Sequence, residues 1–100
     1  MATPKVGELA TMHYPSDSYP FIVTAVSASG SKVTLAELER AADKPARFAG
    51  GFPVWDCPGD PNKRTGRTEV AFRNARGRYF IGRSTPVTFG YARYHRDYSD

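Results

Sequence analysis

The chain has 100 residues, 40% of them hydrophobic and 24% charged, with fourteen Lys+Arg against ten Asp+Glu for a net charge of +4. That length holds one globular domain and leaves no room for a separate cofactor domain. No run of eighteen apolar residues is present to span a membrane. The opening Met1-Ala2-Thr3-Pro4-Lys5 lacks the apolar stretch of a secretory signal.

In chain order, residues 1–8 form a polar lead-in and residues 9–14 read as a short first strand. Residues 15–20, with Pro15 and Pro20, read as a turn-rich loop. Phe21-Ile22-Val23-Thr24-Ala25-Val26 is the strongest strand pattern, rich in β-branched side chains. Residues 27–31 form a short polar, Gly-containing connection, and alternation resumes from Lys32 through about Leu38, which predicts a hairpin. A helix over 35–42 is the alternative, because Ala, Leu, Glu and Arg all favour it.

Residues 43–66 differ in texture. Four prolines and four glycines fall in this segment, and no amphipathic period survives. It reads as a long irregular insertion tied down by Phe48, Phe52, Val54 and Trp55, and such loops are usually functional or mobile. Residues 68–73 and 78–81 then read as strands around a tight turn, Asn74-Ala75-Arg76-Gly77, in which Gly77 supplies a positive φ. Residues 82–86 connect to a last strand over 87–94, with Val87, Phe89, Tyr91 and Arg93 on one face. A polar, Tyr-rich tail closes the chain.

The tally is five to six short strands and little helix. It predicts an all-β fold, a small SH3-like (Tudor-like) barrel with the 43–66 insertion, since closure removes exposed edges. An OB-fold is the alternative, but its helix between strands three and four fits poorly across Pro45 and Gly50-Gly51.

Signals for chemistry are weak. A single cysteine, Cys57, excludes an internal disulfide and suits a reducing cytoplasm. Asp56 beside it opposes thiolate formation. His13, His95 and Cys57 lack the close spacing of zinc ligands. Gly59-Asp60-Pro61-Asn62-Lys63-Arg64-Thr65-Gly66 has the wrong spacing for a phosphate loop, and the calcium-loop and GxSxG patterns are missing. Glu37 and Glu39 share a strand face and read as solvated. The expectation is a non-enzymatic protein with no cofactor and no metal.

Charge is more informative. Residues 1–62 carry five basic and seven acidic side chains, net −2, whereas residues 63–96 carry nine basic side chains against Glu69 alone, net +8. Eight of the nine are arginine, whose planar fork matches phosphates and carboxylates. Arg73, Arg76 and Arg78 bracket the hairpin turn, and Arg64 and Arg67 lead into it. Tyr79, Tyr91 and Tyr94 are close enough in sequence to act as stacking platforms for bases. The candidate binding residues are therefore Arg64, Arg67, Arg73, Arg76, Arg78, Tyr79, Arg83, Tyr91 and Arg93. The same residue types favour protein interfaces, and hairpin-tip arginines are often only solvated charges.

Val6-Gly7-Glu8-Leu9-Ala10-Thr11, followed by Tyr14, Ser16-Asp17 and Val23, resembles the start of a family of small bacteriophage and prophage proteins. Phe72-Arg73-x-x-x-Gly77-Arg78-Tyr79 and Phe89-Gly90-x-x-x-Tyr94-x-x-x-Tyr98 resemble it too. The resemblance implies a phage-encoded protein acting in a bacterial cytoplasm and assigns no catalytic residue. Three binding functions follow as expectations: capture of a host or phage protein, binding of DNA or RNA through residues 63–96, or capture of a small anionic ligand such as a nucleotide.

Overall fold

The computed structural model describes residues 3–97; Met1, Ala2 and the tail from Tyr98 of the phage-like motif lie outside the described residues. The described residues are all-β, with eight strands: β1 (Leu9–His13), β2 (Ser18–Val26), β3 (Lys32–Arg40), β4 (Arg47–Ala49), β5 (Phe52–Arg73), β6 (Tyr79–Ile81), β7 (Thr85–Phe89) and β8 (Arg93–Asp97). Every pairing is antiparallel. The strands run β1-β7-β6-β5-β3-β2, and β2 pairs back onto β1, so hydrogen bonding closes a ring. β8 bridges β5 and β2 beside that ring.

Each ring strand sends residues inward. Ala10 and Met12, Phe21 and Val23, Val33 and Leu35, Ala71, Tyr79 and Val87 make one buried cluster. Full burial of each larger side chain contributes about 1.5–3 kcal/mol. Leu38, Val54 and Ala92 are buried outside that cluster.

The structure overturns several sequence expectations. First, residues 43–66 are not an irregular insertion. Gly50 and Gly51, with φ of 59° and 84°, form a two-residue turn in which Ala49 faces Phe52 across β4 and β5. Positive φ at both central residues suits such a turn, because its twist matches that of the strands. Beyond it the chain stays extended for the whole of β5. Twenty-two residues would span about 70 Å if straight, yet the longest molecular dimension is 47 Å, so β5 must bend. It bends where its register with β3 slips: from Ala36↔Thr68 to Leu38↔Arg64, and again to Glu39↔Asp60, β5 runs ahead of β3. Pro61 falls in that bulged stretch, where a missing N–H breaks no ladder bond. Phe48 and Phe52 do not tie the segment down; both are exposed, whereas Val54 is buried.

Second, the strand expected over 87–94 is two strands. Gly90-Tyr91-Ala92 turns the chain from β7 onto β8, which continues through residues 95–97 of the expected tail. The buried Thr11 hydroxyl holds this corner, donating to the Tyr91 carbonyl at 2.8 Å and accepting from the Arg93 N–H at 3.2 Å. The alternative helix over 35–42 does not form, and residues 18–20 belong to β2 rather than to a loop. The membrane test is narrower: no helix of the described residues is long and apolar enough to cross a bilayer.

Candidate functional site

The β5–β6 hairpin forms as its sequence predicts. The Asn74 side-chain oxygen accepts from the N–H groups of Arg76 and Arg78 at 2.9 and 3.0 Å, and Gly77 takes φ 81°. Arg73 ties the tip to the β2–β3 loop, donating through Nη2 to the Ser29 carbonyl at 3.2 Å. Arg76 and Arg78 are exposed, and among the described residues neither pairs with an acid. Arg83 is exposed in the β6–β7 turn.

The wider arginine cluster does not converge. Arg67 lies six residues from Arg73 along β5, about 20 Å of strand, and Arg64 is farther still. Arg67 is held by Glu69 at 2.6 Å and Glu37 at 3.3 Å. Burial works against its charge, but hydrogen bonds to Glu69 and Tyr14 outweigh that and raise its pKa. Arg93 grips Asp56 with two hydrogen bonds, 2.8 and 3.0 Å. That contact, outweighing partial burial, lowers the Asp56 pKa below the ordinary carboxylate value. Tyr79 is a core residue, 6% exposed, and its hydroxyl donates to the Gly30 carbonyl. It has no free ring face for a base. Tyr91 is 46% exposed, but it stands beside His13 at 6.5 Å between ring centroids rather than beside the hairpin arginines. His13 itself is pushed below its ordinary pKa by burial and then by the Arg93 charge.

The feature that sequence reasoning missed is a ladder of aromatic rings. Tyr14 meets Tyr19 at 5.7 Å, Tyr19 meets Tyr94 at 5.9 Å, and Tyr94 meets Trp55 at 6.2 Å, each ring tilted edge-on to the next. The Arg40 guanidinium lies 4.0 Å over the Trp55 ring and 5.9 Å from Tyr94. Register explains the assembly. Trp55 faces Arg96 and Cys57 faces Tyr94 across β5 and β8, so strand alternation puts these four on one face. Asp56, Arg93 and His95 take the other, where the ion pair forms. Trp55 and Tyr94 are far in sequence from Tyr14 and Tyr19, and the alternation over 87–94 gives no sign that Tyr94 belongs to a separate strand, β8.

The ladder opens into a cleft of about 470 Å³. Tyr19, Leu38 and Tyr94 supply its apolar lining; Glu39, Arg40, Asp43 and Lys63 stand among its polar groups. Among the described residues, neither Glu39 nor Asp43 forms an ion pair. Cys57 is a half-buried free thiol, and no group of three or more metal-binding side chains occurs among the described residues.

Compared with protein-family models, curated proteins and solved structures, the chain finds no match.

Proposed function

We propose that this chain is a non-enzymatic binding module, an SH3-like barrel in type, that takes an extended segment of a partner protein in the aromatic cleft. The observation that carries the reading is the ladder itself, four partly exposed rings in successive contact, of which Tyr19 and Tyr94 line a cleft rimmed by charged groups. Aromatic centres with polar rims are the anatomy of protein interfaces. Arg40 indicates the side chain that such a partner would bring. Its guanidinium already lies on the Trp55 face, an attraction worth about 0.5–2 kcal/mol, and Glu39 and Asp43 offer carboxylates nearby. An arginine from the partner fits the same ring ladder. If the resemblance to phage proteins reflects kinship, that partner is a host or phage protein met in the bacterial cytoplasm.

Trp55 is the only tryptophan, so its emission reports on the cleft. Extended peptides with a central arginine are expected to shift that emission on titration, and Tyr94→Ala should weaken binding while Arg78→Gln leaves it unchanged. Equal affinity for the same peptides carrying norleucine in place of arginine would overturn the arginine assignment. An emission unmoved by any of the peptides would overturn the cleft.

A further inference from the structure

A second surface lies at the far end of the ring and owes nothing to the aromatic cleft. Residues of the N-terminal segment and of β6 and β7 line a groove of about 510 Å³, within the usual range for small-ligand sites. Phe80, Pro86, Val87 and Phe89 line it, and Arg78 stands among them. The buried Tyr79, fixed through its hydroxyl to Gly30, contributes to the same lining. A smaller polar cleft of about 290 Å³ adjoins it, sharing Thr3, Gly77 and Tyr79, and is lined by Arg73 and Arg76. The result is a two-part site, an apolar trough that carries Arg78 and an adjoining pocket edged by Arg73 and Arg76.

The charge is one-sided. Among the described residues Glu8 is the one acid lining either space, and its carboxylate already accepts the Lys5 backbone N–H at 3.1 Å. Arg76 and Arg78 have no acidic partner among the described residues. Arginine forks match phosphate oxygens, and their hydrogen bonds to charged groups are the strong ones. An apolar trough with aromatic walls suits a flat ring. We propose that this groove binds a nucleotide, its base against the apolar lining of the trough and its phosphate on Arg78 and Arg76. The nucleotide is either free or the 5′-terminal residue of a single strand, since both present the same chemistry.

Calorimetric titration of the full chain with AMP and UMP tests the site, with adenosine, uridine and inorganic phosphate as partial probes. The expected result is measurable binding of at least one monophosphate, with the nucleosides and phosphate each at least tenfold weaker. Arg78→Gln and Arg76→Gln change exposed side chains and should each weaken binding about tenfold with thermal stability unchanged. A 5′-phosphorylated oligonucleotide that binds more tightly than the monophosphate identifies a strand end as the source; equal or weaker binding identifies the free nucleotide. Failure of both monophosphates to bind at millimolar concentration would overturn the proposal, as would affinity indifferent to Arg78→Gln or equal for AMP and adenosine. These outcomes leave the peptide-binding reading untouched, because the two sites share no residue.

Discussion

Gly59 marks the place where β5 passes closest to its neighbours, and Gly59→Ala tests whether that closeness organises the cleft. A Cβ at this position would lie 2.4 Å from Pro20 Cβ, 2.9 Å from Pro20 Cγ and 3.2 Å from Leu38 Cβ. Carbon atoms are at ease near 3.5–4.0 Å, so a displacement of about 1 Å is required. The obstacle is a proline ring, which cannot swing aside as a long side chain would. Pro20 is itself locked in β2 opposite Thr11 of β1. Gly59 also donates its N–H to the Ala92 carbonyl at 3.0 Å, so pushing β5 outward strains the corner that leads into β8. Overpacking of this kind costs about 1–3 kcal/mol. For a domain of this size that is a fall in Tm of roughly 4–24 °C, at about 4–8 °C per kcal/mol. Urea denaturation and calorimetry give the stability, and Trp55 emission should change because β5 and β8 shift together. A loss below about 0.5 kcal/mol, with unaltered emission, would refute the close approach.

Three further outcomes are expected. Tyr79→Phe removes the hydroxyl that donates to the buried Gly30 carbonyl and should cost about 1–3 kcal/mol in urea denaturation. His13 has a folded pKa below its ordinary 6.5, so the unfolded chain binds its proton first; stability should fall as pH drops from 6.5 through the folded value, and His13→Gln should flatten that slope. Asp56 is likewise depressed below its ordinary 3.8, so its contribution is present above that pH and disappears on acidification through the folded value. In Arg93→Gln, NMR titration should return the Asp56 carboxyl toward the ordinary value, with a stability loss of no more than about 1 kcal/mol because the pair is exposed.

The parts of the fold legible in the sequence are those where alternation and turn chemistry agree. The β2–β3 hairpin around residues 27–31 and the β5–β6 hairpin around Asn74–Gly77 form where local signals place them. Residues 43–66 misled because proline and glycine were weighed as breakers. Gly50-Gly51 is in fact a hairpin turn, Pro61 falls in a bulge, and the Pro58 carbonyl still accepts from the Ala41 N–H at 2.9 Å. The single strand expected over 87–94 failed at Gly90, where the chain changes partners from β1 to β5. For the sites, the count of arginines was legible and their pairing was not. Glu37 reaches Arg67 across β3 and β5, and Asp56 reaches Arg93 across β5 and β8. Those contacts are set by register, which a one-residue slip would reverse. The aromatic ladder is hidden for the same reason, because only β-pairing brings Trp55 and Tyr94 to Tyr14 and Tyr19.

We propose that the aromatic cleft, not the arginine hairpin, receives the partner protein. Backbone amide shifts of the ¹⁵N-labelled chain, followed while an arginine-centred peptide is added, decide between the two. Perturbations are expected to concentrate at Tyr19, Glu39, Arg40, Trp55 and Tyr94, with residues 73–83 unmoved. Shifts confined to residues 73–83, with the cleft silent, would contradict it.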